Sequence, residues 1–385
     1  MTGYRLTVLA GDGTGPEVIA EALKVIETFQ QHSPISFEIT EIPCGGQYYL
    51  ETGEEWPEGS FEHCRDNSDA ILLGAIGWPD ARLPNGDMAG GQVILGLRSG
   101  LKLYPGVKHK VHGVHQQVWQ PDMVDMVMIR ENTEGLYHSL LRRMEQKAKG
   151  ERDEPIVIEE FPGLEGEVEW DPRPISRKGS ERVINFAFDL ARHRHRKMGV
   201  PQSVTCVDKS NVTRGCRLFR GIFNEISEEN PDIETHAAYI DAFTMWLMRD
   251  PEDLDVVVLP NMFGDIATDL ASVLQGGLGM AASANLGPNH MMFEPVHGSA
   301  PKYTGKNVVN PIATLQSVQM MFEALAYRKK DIHLDKCADI LQQAIQEHFE
   351  EGGLVTYDLG GDASTSEVGQ AIADRCKTML EKEFQ

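Results

Sequence analysis

The sequence predicts an α/β protein built on a mainly parallel sheet. Three observations carry this: segments with strand and helix periodicity alternate along the chain, several strand segments are almost wholly apolar, and a glycine-rich turn joins the first strand to the first helix. Residues 4–10 are apolar and β-prone. Gly11, Gly13 and Gly15 then make a turn, Pro16 suits the first turn of a helix, and Val18, Ile19, Ala22, Leu23, Val25 and Ile26 form its apolar stripe. Residues 36–42 read as a second strand. Residues 69–73 (DAILL) and 124–129 read as strands buried on both faces. A helix is expected over 92–103. The acidic stretch 151–171, punctuated by Pro and Gly, reads as a projecting arm. The amphipathic run 176–198 ends in RHRHRKMG, where cations complement a helix C-terminus and Gly199 caps it. Strand 203–207, helix 213–226, strands 234–240 and 254–259, and helix 263–274 follow. Helices at 312–327, 331–350 and 364–382 fill most of the remainder.

Composition narrows the function. At ~150 residues per domain, 385 residues suggest two or three domains. Lys plus Arg is 36 and Asp plus Glu is 58, so the net charge of −22 repels a polyanion and argues against nucleic acid as a partner. A small anionic substrate must then meet a local basic site. No apolar run approaches the ~18 residues of a membrane span, and the N-terminus lacks the pattern of a signal peptide. The six cysteines are scattered with no CxxC pair, as reduced thiols of a cytoplasmic protein are.

Four groups of residues could carry chemistry. Gly11-Asp12-Gly13-Thr14-Gly15 follows a strand and opens a helix, but its third glycine spacing departs from GxGxxG, so a tight packing turn is the better reading. Asp265 and Asp269 are four apart on one helix face, and Asp241 starts a helix after a strand; three Asp side chains suit Mg²⁺ or Mn²⁺ rather than zinc. Arg98 and Arg130 are either structural ion pairs or a bidentate clamp on a substrate carboxylate, and Lys209 ends a strand where it is either solvated or a base. His109, His112 and His115 form an HxxHxxH run, but in extended chain they face opposite sides, which disfavours zinc.

Together these pieces resemble the isocitrate/3-isopropylmalate dehydrogenase family of β-decarboxylating dehydrogenases, which includes homoisocitrate and tartrate or D-malate enzymes. The resemblance rests on GDGTGPEV at 11–18, IRENTEGLY at 129–137, VDKSNVTR at 207–214, LPNMFGDIATDLAS at 259–272, EPVHGSAPKYTGKNVVNP at 294–311 and TYDLGG at 356–361. It implies a two-domain fold, with 1–103 plus 277–385 forming a discontinuous cofactor domain. Residues 104–276 would form a substrate and dimer domain whose arm, 138–175, clasps a second copy. It implies oxidation of a (2R)-malate-type hydroxyl followed by loss of the β-carboxylate. Lys209 would be the base and Tyr137 the acid, with Asp241, Asp265 and Asp269 holding Mg²⁺ or Mn²⁺. Substrate would meet Arg98, Lys108, Arg130, Ile94 and Leu95. The implied cofactor residues are Asn211, Glu294, His297, Gly298, Ser299 and Ala300, and further along Lys302, Tyr303, Val309, Asn310, Tyr357 and Asp358. Lys209 and Asp241 would come from the neighbouring subunit, making a homodimer with shared sites.

Departures from the family pattern shape the substrate and cofactor expectations. Lys108 stands where an arginine is usual, the Ser-x-Asn pair of isocitrate enzymes is missing before Arg98, and Gly91 replaces the acid that accompanies the apolar patch of isopropylmalate enzymes. The expected substrate is therefore a malate-type hydroxy dicarboxylate or tricarboxylate other than isocitrate. Isocitrate, homoisocitrate or an unusual analogue such as a phosphonate are the alternatives. Lys302-Tyr303 after HGSAP resembles NADP-using members, although the arginine that usually accompanies Tyr357 is Gly361; the expected cofactor is NADP, with NAD the alternative. A non-catalytic regulatory subunit of the same fold would lose the lysine, tyrosine or aspartates that this chain keeps.

Overall fold

The computed structural model describes residues 2–84, 86–108, 124–138 and 171–384. Its spine is a ten-stranded sheet. The first strands are β1 (Thr2–Gly11), β2 (Ile35–Glu41), β3 (Ala70–Ala75), β4 (Pro105–Lys108) and β5 (Val127–Glu131). The others are β6 (Ser203–Asp208), β7 (Glu234–Tyr239), β8 (Val256–Leu259), β9 (Ala282–Leu286) and β10 (Met291–Pro295). The spatial order is β2-β1-β3-β10-β9-β4-β5-β8-β6-β7. Pairing is parallel except at the centre, where β10 with β9, β9 with β4, and β4 with β5 are antiparallel. The five strands on one side of the β9–β4 seam come from the two ends of the chain, and the five on the other side come from its middle.

Burial explains the strand sequences. Every residue of β3, β5, β6, β8 and β10 is buried, so none of them alternates buried with exposed positions, and β3 and β8 are wholly apolar runs. On the terminal half, α1 (Gly15–His32) packs with α9 (Ile312–Lys329) and α11 (Thr365–Glu383), and α10 (Ile332–Glu350) packs on those two. Phe29 meets Phe322 edge-on at 5.3 Å, and Phe37 stacks on Phe322 at 5.5 Å. On the middle half, α5 (Arg177–Met198) and α6 (Arg214–Glu229) cover one face, while α7 (Ile240–Arg249) and α8 (Asn261–Ser272) build a second core around Phe243, Leu247, Leu259 and Phe263. Caps end the long helices as their sequences suggest. Ser176 accepts from Gly179 N, Gly199 is left-handed, and Ser364 with Glu367 forms a capping box on α11.

Several expectations are corrected. The helix expected over 92–103 is a π-helical turn, Gln92–Gly96, running into the short α4 (Leu97–Gly100). A Cβ at Gly100 would meet the Phe61 ring at 2.5 Å, so only glycine admits the ring there, and left-handed Lys102, φ 56°, turns the chain out of the helix. Two short helices, α2 (Gly46–Thr52) and α3 (Ser60–Asp66), and the strands β9 and β10 add to the expected elements. The arm expected over 138–175 lies, for 139–170, outside the described residues, as do His109, His112 and His115. All six cysteines are free and buried. No helix among the described residues is long and apolar enough to cross a membrane.

The glycine-rich turn is a packing device. Asp12, wholly buried, accepts from the backbone N–H groups of Gly46, Gln47 and Gly77, each at 2.8 Å. A Cβ at Gly13 would lie 2.1 Å from Ser299 O, whose carbonyl accepts from Thr14 N at 2.9 Å. The first turn thus holds the loop after β10.

Candidate active site

A cleft of about 430 Å³ opens beside the central seam, beyond the carboxyl ends of β3 and β10, where α/β folds gather ligand groups. Arg98, Arg130, Tyr137 and Asp265 line it together, with Ile94 and Leu95 on the wall made by the π-helical turn. Arg130 ends β5 almost wholly buried. Its Nε and Nη2 donate to Asn261 Oδ1 at 3.1 and 2.7 Å, and its Nη1 pairs with Asp265. Five N–H groups allow these bonds and leave donors for a ligand. Burial, then the nearby Arg98, lowers the Arg130 guanidinium from its ordinary value.

Tyr137 OH donates to Asp265 Oδ2 at 2.6 Å, and the Arg130 guanidinium lies 5.0 Å from the Tyr137 ring centroid. Burial and then the hydrogen bond to Asp265 raise the phenol above its ordinary value, so it carries its proton at neutral pH. The loop bearing Tyr137 is braced by buried Glu131, which accepts from Thr133 N at 2.9 Å and Glu134 N at 2.8 Å. Asn261 also donates to Glu134 O at 2.8 Å, tying this loop to α8. Arg98 Nη2 donates to Glu294 Oε1 at 2.6 Å, and Asn285 donates to the same oxygen at 2.7 Å. Glu294 is thus the counter-ion of Arg98 on the cleft wall, a role its place in the cofactor motif does not suggest.

Lys209 and Asp241 stand elsewhere. They follow β6 and β7, neither lines the cleft, and Lys209 Nζ donates to Asp241 Oδ1 at 2.6 Å. That hydrogen bond holds the Asp241 carboxyl below its ordinary value. Asn211 is exposed beside this pair in the chain. Exposed apolar side chains lie on these and the following elements: Val212 after β6, Tyr239 in β7, Met245 and Trp246 on α7, Ile266 on α8 and Val273 just after it. Lys108 lies in β4, its backbone paired with Ser283 and Met128.

The loop after β10 forms a second group. Tyr303 and Tyr357 have ring centroids 5.4 Å apart, and Lys302 Nζ lies 4.6 Å from the Tyr303 centroid. The Tyr357 hydroxyl, then Lys302, holds the Tyr303 phenol below its ordinary value. Burial, then the hydrogen bond with Tyr303, pushes Tyr357 up to about 12. Asn310 Nδ2 donates to Asp358 Oδ2 at 3.1 Å, and Val309 O accepts from Thr365 Oγ1 at 2.6 Å, so these residues fix the loop's return. Gly361 has a physical cause: a Cβ there would lie 2.0 Å from Val355 O.

A family model described as isocitrate/isopropylmalate dehydrogenase matches residues 5–372. The chain is 37% identical to a 3-isopropylmalate/3-methylmalate dehydrogenase of Methanocaldococcus jannaschii, covering 97% of this chain and 99% of that one. The chain belongs to the isocitrate/isopropylmalate dehydrogenase family. This dehydrogenase is also 35% identical to a homoisocitrate dehydrogenase of the same organism, over 98% of this chain and 99% of the other. Its fold matches a crystal structure of isocitrate dehydrogenase from Methylococcus capsulatus with a TM-score of 0.78 at 32% identity, covering 97% of this chain and 99% of that one. It is therefore a metal-dependent decarboxylating dehydrogenase, an oxidoreductase acting on CH–OH with a nicotinamide cofactor.

The residues of the dehydrogenase fit such ligands in part within one chain. Arg98 Nε, Ser283 Oγ and His297 Nε2 are buried polar atoms without a hydrogen-bond partner among the described residues, and all three side chains line the cleft. Burial lowers His297 from its ordinary value, leaving a neutral ring whose Nδ1 lies 3.0 Å from Gly298 O. Gly298 is open, with nothing within 4 Å of a Cβ built there; Ser299 bonds Gly77 O, and Ala300 is left-handed at the bend. For a metal, Asp265 and Asp269 share a face of α8, but no three ligating side chains converge among the described residues.

Sequence reasoning missed Asn261, Glu131, Ser283 and Asn285. Their only signal is position within the family motifs or a strand that carries no strong periodicity.

Proposed function

We propose that the protein is an NADP-dependent dehydrogenase requiring Mg²⁺ or Mn²⁺, which oxidises and decarboxylates a (2R)-hydroxy acid of the malate type in the cytoplasm. The observation that carries this reading is the single cleft in which Arg98, Arg130, Tyr137 and Asp265 meet under an apolar wall. The working unit is a homodimer of two-domain subunits, 1–103 plus 277–385 and 104–276. Lys209 and Asp241 of the partner subunit complete each cleft. The exposed apolar side chains on α7 and α8, beside a Lys209–Asp241 pair remote from its own cleft, support that assembly.

In this reading Arg98 and Arg130 grip the substrate carboxylates, with Lys108 adding charge. Lys209 would take the hydroxyl proton, and a nicotinamide cofactor, when bound, would supply the acceptor for the C2 hydride. Loss of the β-carboxylate as CO₂ then leaves an enol, and Tyr137 returns a proton to carbon. Asp241, Asp265 and Asp269 would hold the divalent cation, which when bound polarises the hydroxyl and ketone oxygens.

Ile94 and Leu95, with Ile76, Leu83 and Met88 also on the lining, favour a substrate with an apolar distal group. A Cβ built at Gly91 meets nothing within 4 Å, so the wall has room there. The test is a panel of 2-hydroxy diacids and triacids with either metal. A 3-alkylmalate is expected to be best. Isocitrate turned over at kcat/KM above ~10⁵ M⁻¹s⁻¹, and better than every malate analogue, would refute this.

NADP is favoured by the Lys302, Tyr303 and Tyr357 group. Lys302→Asp is expected to shift the NADP/NAD ratio of kcat/KM towards NAD by about tenfold or more, since an acid repels a phosphate dianion. A wild-type preference for NAD, or no swing in the variant, overturns the assignment.

A further inference from the structure

Three buried polar side chains form a line across the centre of the sheet and end on Arg98. Asn132, just after β5, donates from Nδ2 to Asn285 Oδ1 at 2.7 Å. Asn285, in β9, donates from Nδ2 to Glu294 Oε1 at 2.7 Å. That oxygen also accepts from Arg98 Nη2 at 2.6 Å. The direction of the line is set from the Glu294 end. An ionised carboxylate only accepts, so Asn285 turns its amide nitrogen to Glu294 and its oxygen to Asn132, which must then donate. Asn285 is wholly buried, and Asn132 and Glu294 are 4% and 6% exposed, so a lost bond here leaves a polar group without water to replace it.

The line crosses a strand. Gly106 of β4 pairs with Arg130 of β5 on one side and with Asn285 of β9 on the other. Asn132 reaches β9 over Gly106: a Cβ built at Gly106 would lie 2.6 Å from Asn132 Nδ2 and 2.8 Å from its Oδ1. Gly106 has no positive φ that would ask for glycine, so the passage of the Asn132 amide is what excludes a side chain there. The Asn132 backbone is held too, its N–H donating to Tyr104 O at 2.9 Å. Asn132 thus ties the segment that carries Arg130 and Tyr137, in the middle of the chain, to the Glu294–Arg98 pair on the other half of the sheet. Arg98 depends on that support. Its Nε is buried with no hydrogen-bond partner among the described residues, and its bond to Glu294 decides where the remaining N–H groups point. A fork of N–H groups grips a carboxylate well only when aimed at it.

We propose that Asn285 is a positioning residue of this dehydrogenase: held by Asn132, which passes over Gly106, it fixes the Glu294 carboxylate and so aims the Arg98 guanidinium at the substrate carboxylate, in step with Arg130. This rests on the reading that Arg98 grips that carboxylate.

The test is steady-state kinetics with malate, 3-isopropylmalate and isocitrate as probes, taking the one turned over fastest, with Mn²⁺ and nucleotide in excess. Asn285→Asp keeps an acceptor for Asn132 but sets a second carboxylate against Glu294. It is expected to raise KM for the hydroxy acid about tenfold or more while kcat changes less than about threefold. Adding Glu294→Gln puts a donor opposite the new carboxylate and leaves an oxygen for Arg98. This double variant is expected to return KM to within about threefold of wild type. Gly106→Ala, which pushes the Asn132 amide off Asn285, is expected to raise KM about threefold to tenfold, and it decides the matter should Asn285→Asp fail to fold. An unchanged KM in the deciding variant overturns the proposal. So does a raised KM that the double variant does not lower, because a general packing defect gains nothing from exchanging the two groups. Arg98→Gln separates the underlying reading. If it leaves KM unchanged, Arg98 does not grip the substrate and both readings fall. If it raises KM while Asn285→Asp does not, only the role of Asn285 falls.

Discussion

Asp265→Asn is expected to lower kcat by about 1,000-fold or more while the protein stays folded. Asp265 meets Arg130 and Tyr137 in the cleft and shares its helix face with Asp269. Asparagine keeps the size and one acceptor oxygen, so Arg130 can still donate to Oδ1, while the new amide N–H would donate to the Tyr137 hydroxyl instead of accepting from it. What it loses is the negative charge, which holds a hard divalent cation far more strongly than a neutral amide oxygen does. A Lewis acid of this kind supplies several kcal/mol to a developing oxyanion, and about 4 kcal/mol corresponds to three powers of ten in rate. Because Asp265 is about one-third exposed, the unfolding temperature should move by only a few degrees. Full activity in excess chelator would show that no divalent cation is used, and a near-normal kcat for Asp265→Asn would remove this residue from the metal set.

The parts of the molecule legible in the sequence share a physical cause. Strands such as β3 and β8 are buried on both faces, so their composition alone marks them. The long helices announce their ends through local chemistry, Ser176 and Gly199 on α5, Ser364 and Glu367 on α11. The centre of the sheet is different. β9 (ASANL) is small and polar, and β10 (MMFEP) ends in Glu-Pro. Both are strands because of their pairing with each other and with β3 and β4, far away in the chain. The helix expected over 92–103 stops at Gly100 because Lys102 is left-handed, φ 56°, a backbone turn that a helical period does not reveal. In the site, residue types with definite chemistry and spacing were readable: two Asp on one face, an Arg at a strand end. Supporting residues were not. Asn261 and Glu131 act by orienting Arg130 and Tyr137, and a lone Asn or Glu has no period or spacing that reveals what it will orient. The Lys209–Asp241 pair was found as residues, but one chain leaves it outside its own cleft.

That separation leads to the second large effect. Lys209→Ala and Tyr137→Phe subunits are each expected to be inactive as pure dimers, and a mixture of the two is expected to recover activity. Tyr137 lines the cleft of its own chain, while Lys209 sits with Asp241 at the exposed ends of β6 and β7. If a two-fold axis brings α7 and α8 of two copies together, burying Met245, Trp246, Ile266 and Val273, each cleft receives its lysine from across that axis. A heterodimer then has one site with both residues intact and one site with neither. Equal mixing with free exchange makes half of the dimers mixed, so about one quarter of all sites should be whole. If Lys209 instead served its own chain, every site in every dimer would lack one of the two groups, and mixing would recover nothing. Recovery near one quarter after exchange, verified by differently tagged subunits, therefore requires sites shared between chains. No recovery after verified exchange would rule them out.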